Sequence, residues 1–213
     1  MKITITTLLL LLFVPNHLFA QASSGPIILQ SAQASTNPLP EPFGLKSGLT
    51  KAQVIALVGK ESVREDKGDS LTLSNVPSPH PDFELYAVGI SSSTGVARIL
   101  AVSKTIDTNV YGDNLKEKYR ELVKGLESKY GPATKSFDFL QSKSIWNEGN
   151  DWMMALLKEE RDLMTFWQLP GGTSIHLEAK ALSTSQGYVT VEYQFPNFDV
   201  FARERNDKKN ASF

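Results

Sequence analysis

Three segments near the C-terminus decide the fold: Leu163-Met164-Thr165-Phe166-Trp167-Gln168-Leu169, Ile175-His176-Leu177-Glu178-Ala179-Lys180-Ala181-Leu182 and Tyr188-Val189-Thr190-Val191-Glu192-Tyr193-Gln194-Phe195. The second and third alternate apolar with polar residues, the period of a strand that buries one face and wets the other. Pro170-Gly171-Gly172 turns the chain after the first and Ser183 to Gly187 after the second, so the three predict antiparallel neighbours. Val189, Val191, Tyr193 and Phe195 form the inward set of the last strand, and Ile175, Leu177, Ala179 and Ala181 that of the middle one. His176, Glu178 and Lys180 then share the outward face with Tyr188, Thr190 and Glu192. The first strand is apolar on both faces. Either Met164 and Phe166 fill the core and Trp167 stands on the open sheet with Thr165, or the reverse.

Working upstream, the period changes. Leu115, Tyr119, Leu122, Val123, Leu126 and Tyr130 recur at helical spacing, which predicts a helix over Asp113 to Tyr130 stopped by Gly131-Pro132. A shorter helix is predicted over Asp151 to Arg161. Near the start, Thr50 and Gln53 make a capping box for a helix over Lys51 to Val58, with Val54, Ile55, Leu57 and Val58 as its buried stripe and Gly59 as its stop. Three more strands are predicted at Asp69 to Leu73, Phe83 to Ser91 and Val96 to Thr105, the last two joined through Ser92 to Gly95. Pro77, Pro79 and Pro81 make the stretch before them a loop. Runs of strands following helices read as an α+β fold: an antiparallel sheet of about six strands with helices packed on one face.

The ends read differently. Lys2, the apolar run Leu8 to Val14 and the small residues up to Ala22 have the order of a secretory signal peptide over residues 1–22. Residues 23–42, rich in proline and nearly uncharged, read as a flexible leader, and 202–213 as a solvated tail. The folded unit spans 43–201, as one domain or as two halves, 43–110 and 111–201. Export puts the protein in a bacterial periplasm or outside the cell, and no cysteine is present to carry a lipid anchor. With 22 Lys+Arg against 23 Asp+Glu, no excess of positive charge serves a nucleic acid. The absence of cysteine excludes disulfides, thiolate metal sites and a cysteine nucleophile.

Gly48-Leu49-Thr50-x-x-Gln53-Val54, ending at Gly59, resembles the G-M-T-x-x-Q-V-x-x-x-L-G signature of the outer-membrane assembly lipoprotein family BamE, the SmpA/OmlA group. The chain has Glu61 where that family has proline, and it lacks the lipidated cysteine. The helix-then-sheet rhythm is also similar to the beta-lactamase inhibitory protein family, in which such a unit occurs twice in tandem. Lys51 to Val58 with Gly59 would correspond to Asp113 to Tyr130 with Gly131. The resemblance implies an exported α+β module that binds another protein on its sheet and brings no catalytic residues with it.

The residues offer little chemistry of their own. No H-E-x-x-H, G-x-S-x-G, Walker or G-x-G-x-x-G pattern occurs. Beyond residue 22 the histidines are His80, in a proline-rich loop, and His176, whose neighbour Glu178 shares its strand face. That pair reads as part of a polar sheet face, with metal binding or proton transfer as the alternative. The expected function is a soluble, non-enzymatic module without cofactor or metal that binds another envelope or secreted protein, as an inhibitor, immunity factor or assembly accessory. The candidate contacts are Trp167, His176, Glu178, Lys180, Tyr188, Thr190 and Glu192. Two alternatives stand beside it: an enzyme with a dispersed site, and a small-ligand carrier with a pocket lined by Tyr86, Tyr119 or Trp152.

Overall fold

Thr50 organises the first turn of helix α1, Lys51–Val58, in a computed structural model that describes residues 39–211. The signal peptide expected over 1–22 and the leader as far as residue 38 lie outside the described residues. Thr50 Oγ1 accepts the Gln53 N–H at 3.3 Å and the Gln53 side-chain oxygen accepts the Thr50 N–H at 2.9 Å, so two amides at the helix start are satisfied locally. Gly59, at φ +81°, ends the helix and donates its N–H to Ile55 O. Val54 and Val58 are buried, whereas Leu57, expected in the buried stripe, is 53% exposed. A two-turn helix presents one narrow line of residues at i and i+4, and Leu57 falls beside it.

Among the described residues nine strands follow: β1 Val63–Asp66, β2 Ser70–Leu73, β3 Phe83–Ser91, β4 Gly95–Ser103, β5 Ile106–Asp107, β6 Lys135–Leu140, β7 Arg161–Gln168, β8 Ser174–Ala181 and β9 Gln186–Gln194. Helix α2 is Asp113–Tyr130, α3 is Trp152–Leu157 and α4 is Phe198–Asn210. The sheet order is β1-β2-β3-β4-β9-β8-β7-β6, with β5 beside β9, and every pairing is antiparallel. The fold is therefore α+β as expected, with more strands than the six anticipated. The additions are β5, of two residues, and the two sheet edges β1 and β6, whose side chains are mostly exposed. The eight longer strands form two meanders, each preceded by a helix, and their last strands, β4 and β9, meet in the middle of the sheet.

One side of the sheet carries the core. Leu71, Val88, Ile99, Val191, Leu177 and Trp167 point there beneath α1, α2 and α3. Helix α2 contributes Leu115, Tyr119 and Leu122. Helix α3 stops at Leu157, short of the expected Arg161, because Arg161 already pairs with Leu140 in the β6–β7 ladder. At the start of α2, Gly112 has φ +73°, and a β-carbon there would stand 2.4 Å from the Trp152 ring. Only glycine lets the helix begin this close to that indole.

The expectation that helices lie on one face alone is corrected by α4. Gly89 alternates with the core residue Val88 and pairs with Arg98 on the opposite side of the sheet. The Phe201 ring packs on Gly89 there, so α4 covers one end of the second face. Residues 202–210, read from the sequence as part of a solvated tail, belong to this helix, and most of their side chains are exposed. The helix is fastened by Glu204, whose carboxylate accepts the Ser92 N–H at 2.7 Å and the Ser93 hydroxyl at 2.6 Å.

The two sheet edges differ. β1 is short, carries Arg64, Glu65 and Asp66, and is irregular in register between Val63 and Glu65, with Lys51 bound to Asp66 at 2.7 Å. Charge and irregularity blunt such an edge against further pairing. β6 has none of the irregularity and carries Phe137 and Phe139, both well exposed.

Candidate protein-binding face

The second face of the sheet is built by strand alternation alone. Every residue one step from a buried Ile175, Leu177, Val189 or Val191 must point away from the helices. The register sets His176 opposite Glu192, Glu178 opposite Thr190 and Lys180 opposite Tyr188. Six of the seven candidate contacts are therefore brought together as three cross-strand pairs, and all six are partly exposed.

Trp167 is the exception and a correction. It is 2% exposed, on the helix side, and its Nε1 donates to Gly131 O at 3.1 Å. Of the two readings of β7, the structure takes the one with Met164 and Phe166 outside. The indole fills the volume where α2 ends, and its N–H satisfies a carbonyl left free at the helix terminus. Thr165, beside it, is buried with its hydroxyl bonded to Tyr119 and Ser136.

Phe166 takes the outer position. Its ring stacks on His176 at a centroid distance of 4.5 Å and an interplanar angle of 11°, and Phe137 meets it edge-on at 5.9 Å. His176 Nε2 is shielded and has no hydrogen-bond partner among the described residues. An aromatic row thus runs from β8 through β7 to the edge strand β6. Phe137 and Phe139 were legible as alternating apolar positions in Lys135-Ser136-Phe137-Asp138-Phe139-Leu140.

Beside that row lies a paired set of charges. Glu192 accepts from Arg98 at 2.7 Å and from Gln194 at 2.6 Å, and Lys180 meets Glu178 at 2.5 Å. Partial burial pulls the Lys180 ammonium toward deprotonation, but the hydrogen bond and charge of Glu178 outweigh it and hold its pKa above the ordinary lysine value. The face combines aromatic area with oriented, mutually satisfied charges, the composition of a contact surface.

A cleft of about 610 Å³ opens on the helix side, between the Pro42–Gly44 turn, the loop 78–83 and α2. Leu177, Val191 and Tyr193 form its floor, and Phe43 and Phe83 its aromatic wall. Phe43 is held at φ +58°, an uncommon conformation for a bulky residue. Tyr86, Tyr119 and Trp152, the expected lining of a ligand pocket, are instead buried at 1%, 4% and 5% exposure and lie outside this cleft. His80 sits at the rim, with Nδ1 accepting the Asp82 N–H at 3.3 Å.

Among the described residues, no three His, Asp or Glu side chains gather as a metal site, and no helix is long and apolar enough to cross a membrane. Comparison with protein-family models, curated proteins and solved structures gives no match.

Proposed function

We propose that the chain is an exported, non-enzymatic module that binds another envelope or secreted protein in the bacterial periplasm or outside the cell, as an inhibitor, immunity factor or assembly accessory. The observation that carries this reading is the aromatic row Phe137, Phe166, His176, which runs to the edge strand β6 on a sheet face that, among the described residues, α4 covers at one end only. Aromatic anchors bury large area at small entropic cost. The neighbouring pairs Arg98–Glu192 and Glu178–Lys180 supply orientation, since their charges are held in place before any partner arrives.

Site-specific photo-crosslinking in the producing cell tests it. A benzophenone side chain at Phe139 or Tyr188 should capture one discrete protein, and the same group at Leu57 on α1 should not. Equal capture from all three positions, or capture from Leu57 alone, overturns the assignment.

The cleft favours a second reading, a carrier of a small apolar ligand, because its volume is that of ordinary ligand sites. Gly125 lines it, and a β-carbon there would meet nothing within 4 Å. A fluorescent fatty-acid analogue should bind the parent chain and be excluded by Gly125→Leu. Equal binding by both removes this reading.

A further inference from the structure

The outer edge of β6 carries more information than its exposure. Gln141 N–H donates to Glu160 O at the end of the β6–β7 ladder, with no register shift between Lys135 and Leu140, and on the other strand Leu169 N–H donates to Thr173 O on the β8 side. Backbone groups alternate along a strand, so those of Lys135, Phe137 and Phe139 turn to β7 and those of Ser136, Asp138 and Leu140 turn outward. Among the described residues no strand pairs with that outer side. A row of outward N–H and C=O groups on a sheet edge is a template on which another extended chain can pair.

The two faces beside this edge differ in chemistry. On the open face stand Phe137 and Phe139, 42% and 53% exposed. On the helix side, a groove of about 380 Å³ separates β6 from α2. Lys116, Arg120 and Lys124 line it at successive i, i+4 positions, so the three form one stripe along the helix. None of the three makes an ion pair among the described residues. The acids of the groove are occupied: Asp138 is bound by Arg161, and Glu127 Oε1 receives the Ala133 N–H at 3.5 Å. Lys116 lies over the Trp152 ring at 4.2 Å, and burial first of all holds its pKa below the ordinary lysine value, so it gains from an incoming carboxylate.

We propose that β6 takes up an extended segment of the partner as an added strand, and that this segment alternates acidic with apolar side chains. Its acidic side chains face the Lys116, Arg120 and Lys124 stripe, and its apolar ones pack beside Phe137 and Phe139. The inference rests on the protein-binding reading and names the partner's chemistry. A second copy of this chain fits poorly, because the one acid of β6, Asp138, is already held by Arg161.

The test is fluorescence anisotropy of the full chain with a labelled peptide alternating glutamate and valine, against a counterpart alternating lysine and valine. The glutamate peptide should bind, and the lysine peptide at least about tenfold more weakly. The triple variant Lys116→Ala, Arg120→Ala, Lys124→Ala should lose about tenfold or more for the glutamate peptide and become insensitive to salt. Leu140→Pro, which removes an outward N–H without touching the ladder to β7, should weaken the same peptide. Should that variant unfold, hydrogen exchange on the parent chain reads the same point, since the Ser136 and Asp138 amides should gain protection when the peptide is bound. Equal affinity for the two peptides, no change in the triple variant, or no gained protection overturns the proposal. So does a concentration-dependent dimer that the peptide dissolves, which would make the occupant a second copy. If these arms fail while crosslinking from Tyr188 succeeds, strand addition falls and the sheet face stands; if crosslinking fails as well, the binding reading falls with it.

Discussion

The Phe201 ring lies so close to Gly89 that a β-carbon at that glycine would stand 2.8 Å from its Cζ. The bare backbone of β3 is thus the seat of helix α4. Gly89→Ala should overpack it and destabilise the chain by about 1–3 kcal/mol. Phe201→Ala should cost about 3 kcal/mol by emptying the same contact. Urea unfolding measures both, and amide exchange should show α4 released first. Unchanged protection in α4 after Gly89→Ala would place its anchor elsewhere.

The second fastening of α4 titrates. Hydroxyl and amide donors from Ser93, Ser92 and Ser91 hold the Glu204 pKa at about 2, below its ordinary 4.5. A depressed carboxylate stabilises the fold above its unfolded pKa and loses that contribution as pH falls toward the folded value. Docking of α4 should therefore be complete above pH 4.5 and weaken progressively as pH drops toward about 2. Glu204→Gln should flatten that profile when α4 exchange is followed against pH, and an unaltered profile would assign the acid response to another group.

Trp167 makes a prediction of the opposite kind, because its role is packing. Trp167→Phe loses the bond to Gly131 O together with part of the ring, and should lower stability by about 1–2 kcal/mol. Partner capture from Phe139 should be unchanged in the folded variant. Lost capture with intact stability would return Trp167 to the contact surface.

Gly125 is a glycine inside α2 that no close contact requires. Gly125→Ala should raise stability by about 1 kcal/mol in thermal unfolding, the ordinary helix-propensity gain. A loss instead would mean that the cleft beside it cannot accept even a methyl group.

The alternating strands β8 and β9 were readable because one face is buried and the other wet, so residue type reports direction. β7 was not, since Phe166 meets Phe137 and His176 outside while Trp167 fills the core. Apolar type alone does not choose between two aromatic environments. β1 carries no alternation, because neither face of that edge is buried enough to enforce one, and β6 alternates only through Phe137 and Phe139, which stay exposed. Helix α4 is held by one buried side chain, Phe201, and one carboxylate, so no helical period marks it. The six polar candidates on β8 and β9 did share a face, because strand geometry leaves no choice. Phe137, Phe166 and Arg98 joined them through pairing between distant strands, which no local pattern records.

The contrast between the two borders of the sheet sets a limit on growth. A sheet adhesive along both margins can polymerise, each new member offering its far border to the next. Here one margin, with Arg64, Glu65 and Asp66, turns strands away and the other, with Phe137 and Phe139, admits them. Any assembly through that border ends after a single addition, which favours closed one-to-one complexes over fibres.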